Sequence, residues 1–497
     1  MSYEDFRTRA ANGGLVPVSR EVLLDIETPI SAFAKLRQEP FAFLLESAPA
    51  GGETWSRYTF LGTDPVAAWR LKGRVVEDWS VSQGWHSART PADPFAELEM
   101  KLRALNPVAA PELGVFWSGA VGYIGYEAVA HMEAITPSHE SKLPDALFMI
   151  TRTVVVLDNL RSQARVIVGV PVETAASEET LRRQYLEAET EIDAVLARLR
   201  STGTSPALAL DVAAKPAAAE SSMTRDEYMR AVETIKEYIR AGDCFQVLLS
   251  RQFTVPHDFD GTDLYRALRA INPSPYMFHL LLDGIELIGS SPELLVRMTE
   301  SDVIVRPIAG TRPRGATTAE DQRMEEELLT DTKEIAEHVM LLDLGRNDVG
   351  RVAEFGSVRA SQTMVVERYS HVLHMVSQIE GSRRSGTGAA DVLRATFPAG
   401  TLSGAPKVRA MEIINELETV ARGPYGGAVG YIAAGAQRLD LAITIRTCTV
   451  ADGVAIVQAG AGIVADSVPE REWDETENKA RALLTAIGRV RAARVRN

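Results

Sequence analysis

Two pairs of glutamates have the spacing of side chains that share one face of a helix. Glu334 and Glu337 lie three residues apart in a helical pattern, and Glu472 and Glu475 repeat this spacing with Lys479 one turn further on. Carboxylates from two such helices can together bind Mg²⁺, which takes oxygen ligands. The same spacing is also typical of a solvent-exposed acidic face, which is the commoner arrangement. Spacing alone therefore does not establish a metal site.

Three glycine-containing segments adjoin strand-like runs, at residues 308–312, 426–431 and 459–463. Glycine allows the backbone to approach a ligand closely, and exposed backbone N–H groups can bind a carboxylate. Taken singly, each segment is more typical of a bulge or a tight turn. Arg446 lies in an alternating apolar stretch that predicts a strand. On a strand its guanidinium would face either solvent, the default, or a bound anion.

The elements that must position these residues follow from periodicity and from helix signals. Thr224 and Glu227 form a capping-box pattern, an apolar face follows, and Gly242 ends the helix. Further helices are predicted at 178–200, 319–344, 387–396, 406–417 and 470–490. Strands are predicted at 244–250, 285–289, 303–307, 428–432, 440–450 and 454–459. Residues 202–222 are small, contain proline and lack aromatic residues, which indicates a linker between 1–201 and 223–497.

The composition indicates an ordinary globular protein and argues against several other classes. A chain of 497 residues, 45% hydrophobic and 24% charged, is ordinary for a globular protein. Two cysteines provide no disulfide framework, and the N-terminus has no signal-peptide pattern, so a cytoplasmic location is expected. The net charge of −14 argues against nucleic acid or an anionic membrane as the main partner. No motif of a Cys-His glutaminase is visible around either cysteine.

The order of several motifs points to a family. In chain order these motifs are Gly289–Glu293, Arg306–Arg312, Asp331–His338, Asp343–Asp348, Phe397–Lys407, Gly426–Tyr431 and Gly460–Ala480. In this combination the chain resembles the chorismate-utilising enzymes over about 223–490. The resemblance implies an α+β fold with a β-sandwich flanked by helices.

Two positions distinguish branches of that family. Members that add water carry lysine where this chain has Gln246, and aminodeoxychorismate synthases of the lysine-using type carry lysine in place of Ala309. The combination of Gln246 with Ala309 resembles the anthranilate synthase large subunits, which implies conversion of chorismate and ammonia to anthranilate and pyruvate. An aminodeoxychorismate synthase component and a non-catalytic subunit that binds chorismate or tryptophan remain the alternatives.

The resemblance also implies residue roles. Glu293 would be the general acid, His374 the base that removes the C2 proton, and Thr401 a group that orients His374 or the substrate. Mg²⁺ would be held by Glu337 and Glu475, with Glu334 and Glu472 close by or bridging through water. Substrate would be bound by Gly310, Thr311, Tyr425, Arg446, Gly460, Ala461, Gly462 and Lys479.

The N-terminal part resembles feedback-regulated members of the family. Leu44–Ser47, followed by Arg57–Gly62, and Asn272–Phe278 imply a tryptophan site. Its expected contacts are Glu46, Ser47, Pro275, Tyr276 and Met277. The absence of a glutaminase motif implies that a separate glutamine amidotransferase subunit supplies ammonia, in a heterotetramer, for the first committed step of tryptophan biosynthesis.

Overall fold

A computed structural model describes residues 1–47, 57–202, 206–369 and 372–495. The helices in these ranges are α1 (Tyr3–Arg9), α2 (Pro29–Leu36), α3 (Pro94–Ala104), α4 (Glu178–Leu199), α5 (Arg225–Ala241), α6 (Gly261–Ile271), α7 (Thr318–Thr330), α8 (Thr332–Gly350), α9 (Ala389–Thr396), α10 (Lys407–Leu417) and α11 (Pro469–Val495). The strands are β1 (Gly14–Leu23), β2 (Phe41–Glu46), β3 (Tyr58–Thr63), β4 (Ala67–Lys72), β5 (Val75–Ser80), β6 (Gly84–Arg89), β7 (Gly119–Ile124), β8 (Ala146–Thr151), β9 (Thr153–Asp158), β10 (Gln163–Val172), β11 (Glu220–Ser221), β12 (Gln246–Pro256), β13 (Tyr276–Leu282), β14 (Ile285–Ser291), β15 (Leu294–Met298), β16 (Asp302–Arg306), β17 (Ile308–Pro313), β18 (Arg359–Arg368), β19 (Val372–Ser382), β20 (Gly404–Ala405), β21 (Ala428–Ala433), β22 (Leu439–Ile443), β23 (Thr447–Ala451) and β24 (Val454–Ile463).

The strands of the described ranges form two antiparallel sheets. The first sheet has the order β1-β10-β9-β3-β2-β13-β14-β23-β24-β12-β11, with β20 beside β12. The second has the order β17-β19-β16-β15-β22-β21-β7-β8-β4-β5-β6, with β18 beside β19. Strands from both sides of segment 202–222 occur in both sheets, so the two sequence regions interleave in space.

The sheets pack face to face through an apolar interior. Phe43 and Phe278 of the first sheet meet Tyr123 and Tyr431 of the second in one buried cluster. Burying a phenylalanine side chain contributes about 1.5–3 kcal/mol relative to exposing it. Helices α2, α4, α6 and α11 cover the outer face of the first sheet, and α3, α5, α9 and α10 pack in a further cluster with strands of both sheets. The predicted α+β fold, a sandwich flanked by helices, is confirmed.

Local signals explain where the helices that carry the site begin. The Thr224 side chain accepts the Glu227 N–H and the Glu227 side chain accepts the Thr224 N–H, which is the predicted capping box of α5, and Gly242 ends that helix with φ 87°. The helical pattern at 319–344 is divided into α7 and α8, because the Asp331 side chain caps α8 by accepting the N–H groups of Lys333 and Glu334.

The strand predicted at 440–450 is two strands. β22 ends at Ile443 and β23 begins at Thr447, and Arg446 between them has φ +51°. The expectation that Arg446 lies on a strand is therefore wrong: a left-handed residue cannot continue the extended ladder. This bend turns the arginine toward the cavity described below.

Segment 202–222 connects the two sequence regions along the surface. Residues 203–205 lie outside the described ranges. Leu208 and Leu210 pack partly buried against the core, and the Ala217 N–H donates to the Leu484 carbonyl across 2.8 Å. None of the described helices has the length and apolar character needed to cross a bilayer.

Candidate active site

A cavity of about 810 Å³ lies between ends of the two sheets and is bounded by α8 and α11. β12 and β24 of the first sheet and β17 and β19 of the second contribute its walls. The predicted site residues that line it are Glu293, Gly310, Thr311, Glu334, Glu337, His374, Thr401, Tyr425, Arg446, Gly460, Gly462, Glu472, Glu475 and Lys479. Ala461 does not line it, because strand alternation directs its fully buried side chain into the core.

Glu293 follows β14 and is 6% exposed. Burial raises the pKa of its carboxyl to about 8, against the opposing effects of the Ile308 N–H, the Thr401 hydroxyl and Lys479. The Thr401 hydroxyl donates to Glu293 Oε1 across 3.1 Å and the Ile308 N–H donates to the same oxygen across 3.4 Å. At neutral pH this carboxyl is mostly protonated, as a general acid must be.

The Thr401 hydroxyl bonds to Glu293. The resemblance predicts that Thr401 orients His374 or the substrate, and in the structure its hydroxyl donates to Glu293. A single 3₁₀ turn, Gly400–Leu402, holds it there. The sequence could not show this contact because the two residues lie in different segments, and orientation of the substrate by Thr401 stays a prediction.

His374 instead bonds to β17. Its Nδ1 lies 3.0 Å from Thr311 Oγ1 and 3.4 Å from the Gly310 carbonyl oxygen. Burial lowers the pKa of the imidazole to about 4, assisted by Arg446 and Lys479 and opposed by the Gly310 carbonyl. Gly310 has φ +77° at a register shift between β17 and β19, a conformation that favours glycine. The imidazole is therefore neutral at physiological pH and able to accept a proton.

Two of the cationic side chains on the cavity wall, Arg446 and Lys479, lie close to the acidic groups. Arg446 Nη1 donates to the Lys479 carbonyl across 2.9 Å, and Lys479 Nζ lies 2.7 Å from Glu475 Oε1 and 2.9 Å from the Gly460 carbonyl. Gly460 and Gly462 face the cavity on β24. A β-carbon at Gly462 would lie 2.6 Å from Gln246 Nε2, so the Gln246 amide would have to move to make room for one.

The four predicted metal ligands lie on α8 and α11 and face the same space. Burial raises the pKa of Glu337, and repulsion from Glu334 and Glu475 adds to this, while the Gln246 amide, 3.0 Å away, opposes it. Burial and Glu475 also raise the pKa of Glu472. Among the described residues no three acidic, histidine or cysteine side chains are already arranged around one metal position. The mutual repulsion nevertheless fits a bound cation, which would relieve it.

Several residues of the cavity were not predicted as site residues. Gln246 and Ala309, used above only to distinguish family branches, line it directly. Gln458, Lys333 and Asn478 also line it. Gln458 shares a strand face with Gly460 and Gly462, so the two-residue alternation of β24 was a signal that could have identified it.

A second cavity, of about 330 Å³, lies between the sheets. All five predicted effector residues line it: Glu46, Ser47, Pro275, Tyr276 and Met277. Met277 pairs with Glu46 across β13 and β2, which brings together segments that are far apart in the chain. Below, this space is called the regulatory cavity, after the effector role predicted for the residues that line it.

The regulatory cavity contains charged groups of both signs. Arg269 Nη2 lies 2.7 Å from Glu46 Oε1, and the Tyr265 hydroxyl donates to Glu46 Oε2 across 2.7 Å. Arg297 Nε donates to Asp440 Oδ2 across 2.8 Å. The other oxygen, Asp440 Oδ1, is buried without a hydrogen-bond partner among the described residues.

The two cavities share part of their walls. Pro292 and Ile308 line both of them. Pro292 precedes Glu293, and the Ile308 N–H contacts the Glu293 carboxyl. Glu293, the predicted acid, therefore lies directly beside the wall of the regulatory cavity.

Known proteins resemble this chain over nearly its whole length. Residues 43–485 match the family of chorismate binding enzymes. Anthranilate synthase component 1 of Pseudomonas putida is 47% identical over 98% of each chain. The component 1 protein of Aquifex aeolicus is 44% identical over 98% of this chain and 97% of its own.

Solved structures of related proteins share the fold of this chain. Anthranilate synthase component I from Streptococcus pneumoniae matches with a TM-score of 0.75 and 33% identity, over 93% of this chain and 99% of that one. The menaquinone-specific isochorismate synthase of Escherichia coli shares the fold, with a TM-score of 0.71 at 18% identity over 98% of each chain. The family predicted from the sequence is confirmed: the chain belongs to the chorismate-binding enzymes, among the component 1 proteins of anthranilate synthase.

Proposed function

We propose that this chain converts chorismate and ammonia to anthranilate and pyruvate. The observation that carries the proposal is the convergence of a protonated acid, Glu293, and a neutral base, His374, in one cavity with Arg446 and Lys479. Chorismate is a dianion, so a protein of net charge −14 must supply local positive charge to bind it. These two cations provide it on the cavity wall.

The residues divide the reaction into two steps. Ammonia adds at C2 of the ring and gives up a proton, the double bonds shift, and the C4 hydroxyl leaves as water after Glu293 gives it a proton. His374 then removes the C2 proton, the C3–oxygen bond breaks, and the ring becomes aromatic. The enolpyruvate that leaves takes up a proton on its methylene carbon and becomes pyruvate. Arg446, with Tyr425 and the backbone at 460–462, binds the enolpyruvyl carboxylate, since a guanidinium matches a carboxylate in two parallel hydrogen bonds.

Magnesium is the metal that the donor set fits best. Glu337 and Glu475 would hold it, with Glu334 and Glu472 as direct or water-bridged neighbours, because carboxylate oxygens suit a hard divalent cation. When bound, it neutralises substrate charge and orients the ring. Gln246 keeps Glu337 in place by donating to it.

A direct assay tests the reaction. Purified protein supplied with chorismate, Mg²⁺ and a high concentration of ammonia, without glutamine, is expected to form fluorescent anthranilate and an equal amount of pyruvate. Glu293→Gln is the matched control, because it keeps the shape of the side chain but cannot donate the same proton. An amino product that retains the enolpyruvyl group, detected by mass, would contradict the proposal in favour of aminodeoxychorismate synthase chemistry.

We further propose that tryptophan occupies the regulatory cavity and inhibits the reaction. Support comes from its size, its apolar walls and its charged groups of both signs, which suit an aromatic amino acid. Residues 1–201 contribute part of this cavity, whereas the catalytic cavity is lined by residues of 223–497. We propose that residues 1–201 complete the effector site, while residues 223–497 form the catalytic cavity and the rest of the regulatory cavity.

A partner supplies the ammonia in this proposal. At neutral pH ammonia is mostly ammonium, which is not nucleophilic, so a glutamine amidotransferase subunit that releases ammonia next to the cavity is required for glutamine-dependent turnover. We place the assembly, a heterotetramer, in the cytoplasm. Co-purification with such a subunit and glutamine-dependent activity test this part.

A further inference from the structure

A buried ion pair behind the catalytic cavity touches no part of the space that the substrate would occupy. Arg422 is 3% exposed and Glu418 is 6% exposed, and neither lines the catalytic cavity. Arg422 Nε donates to Glu418 Oε2 across 2.8 Å and Nη2 donates to Oε1 across 2.6 Å. Burying such a pair has a large desolvation cost, so the pair by itself is weak evidence of a stabilising role.

The remaining donors of Arg422 reach two segments of the cavity wall. Nη1 donates to the Leu402 carbonyl across 2.6 Å, and Nη2 donates to the Leu248 carbonyl across 2.9 Å. Leu402 and Leu248 both line the cavity, and Leu402 directly follows Thr401. A planar guanidinium fixes the relative position of several acceptors at once, which an ammonium group cannot do.

Arg422 and Glu418 also form hydrogen bonds with residues outside the pair. The Glu127 carboxylate accepts the N–H groups of Arg422 and Gly423 across 2.7 and 2.9 Å. Glu418 Oε1 also accepts the Ser250 N–H and hydroxyl, each across 2.8 Å. The guanidinium is therefore fixed relative to β12 and to the turn that carries Thr401.

We infer that the Arg422–Glu418 pair is a positioning pair for the catalytic acid: it fixes the 400–402 turn so that the Thr401 hydroxyl stays bonded to Glu293. The inference rests on the proposed function. Arg422 does not line the cavity and reaches Thr401 through the Leu402 carbonyl, so its loss should weaken turnover more than substrate binding.

The test compares variants by their pH profiles. The Thr401 bond stabilises the Glu293 carboxylate, so its loss in Thr401→Val should move the alkaline limb of kcat to higher pH. Arg422→Lys should move that limb in the same direction and lower kcat by about 10- to 100-fold, with KM changed less than about threefold. The double variant Thr401→Val/Arg422→Lys should show no further shift, because both changes remove the same bond.

Arg251→Lys is the matched control. Arg251 is also a buried arginine, 1% exposed, and it donates to Thr476, Ser221 and Glu477. Its replacement should lower the melting temperature while leaving the alkaline limb where the wild type has it. An equal shift in Arg251→Lys would mean that any loss of a buried arginine produces the effect, and would overturn the inference.

Two further measurements keep the test decisive. If Arg422→Lys does not fold, Glu418→Gln, which keeps the shape but removes the charge, should produce the same shift. The infrared band of the protonated carboxyl that Glu293→Gln abolishes reports the Glu293 pKa without turnover, and it should titrate at higher pH in the Arg422 variant. An unchanged band and an unchanged limb in a folded variant would overturn the positioning role, whereas a wild type that makes no anthranilate would contradict only the proposed function.

Discussion

Glutamates in one cavity differ in chemistry because their surroundings differ. Glu293 is enclosed and meets only neutral donors at hydrogen-bond distance, so burial favours its protonated form. Glu475 has a side chain that is 45% exposed and forms an ion pair with Lys479. The first suits proton donation, and the second suits a cation.

We expect Glu293→Gln to lower kcat by about 10²- to 10⁴-fold, the range for loss of general acid catalysis. Chorismate binding should be retained, because the amide has the same shape. In the wild type the acid works only when protonated, so activity should fall as the pH rises through about 8. Steady-state kinetics across pH check this, and a variant with normal kcat would remove Glu293 from the mechanism.

His374 should remain neutral well below the usual pKa of histidine. Burial lowers its pKa to about 4, so protonation, and with it loss of the base, should occur only as the pH falls through that value. Nitrogen NMR of protein labelled at histidine would follow the titration, with His374→Gln identifying the resonance. A midpoint near 6.5 would show that the imidazole is solvated and would contradict the buried geometry.

At the scale of elements, capping and stop signals in the sequence predicted both ends of α5. The same kind of signal was missed where one helical pattern divides into two helices. The capping box at Thr224 and the stop at Gly242 fixed both ends of α5. The break at Asp331 was missed because a capping aspartate inside a helical pattern looks like another surface acid. Arg446 was assigned to a strand because its neighbours alternate, whereas its positive φ marks a bend between β22 and β23 that periodicity does not signal.

Loss of a carboxylate from the acidic faces of α8 and α11 should weaken the binding of Mg²⁺. Glu475→Gln should raise the Mg²⁺ concentration needed for half-maximal activity by about 10- to 100-fold, because it removes a charge that supports the cation. Glu470→Gln is the matched control, since Glu470 is exposed on the same helix and does not line the cavity. Equal Mg²⁺ dependence of the two variants after chelator treatment would contradict a metal role for Glu475.

At the scale of the whole molecule, both sheets contain strands from both sequence regions. Separating the chain between residues 202 and 206 should therefore leave each fragment with unpaired strand edges and an exposed apolar face, so that neither is soluble alone. Co-expression of the fragments should restore turnover, because the contacts between them do not depend on the covalent link. A stable isolated fragment 206–497 with full activity would contradict this.

A larger side chain in the regulatory cavity should weaken inhibition by tryptophan. Ser47→Phe should fill part of its volume and raise the tryptophan concentration needed for half-inhibition by at least about tenfold, with kcat little changed, since overpacking disfavours a ligand of that size. Ser385→Phe is the control, because Ser385 is exposed and lines neither cavity. Tryptophan inhibition curves measured for both variants test this prediction. Unaltered inhibition in Ser47→Phe would mean that tryptophan binds elsewhere.

The sequence alone could not bring these residues together. The pairing of Glu46 with Met277 depends on strand order between distant segments, so only resemblance to a family predicted that they meet. Arg422 gave no signal at all, because its role lies in contacts with two backbone carbonyls rather than in its neighbours along the chain.

Pro292 and Ile308 line both cavities, so a substitution at either residue would affect both of them. On the proposed function, resistance to tryptophan without loss of activity should come from substitutions on the far side of the regulatory cavity, around Ser47, which does not line the catalytic cavity. Substitutions of Pro292 or Ile308 would also alter the surroundings of Glu293, so resistance gained there should come with slower product formation.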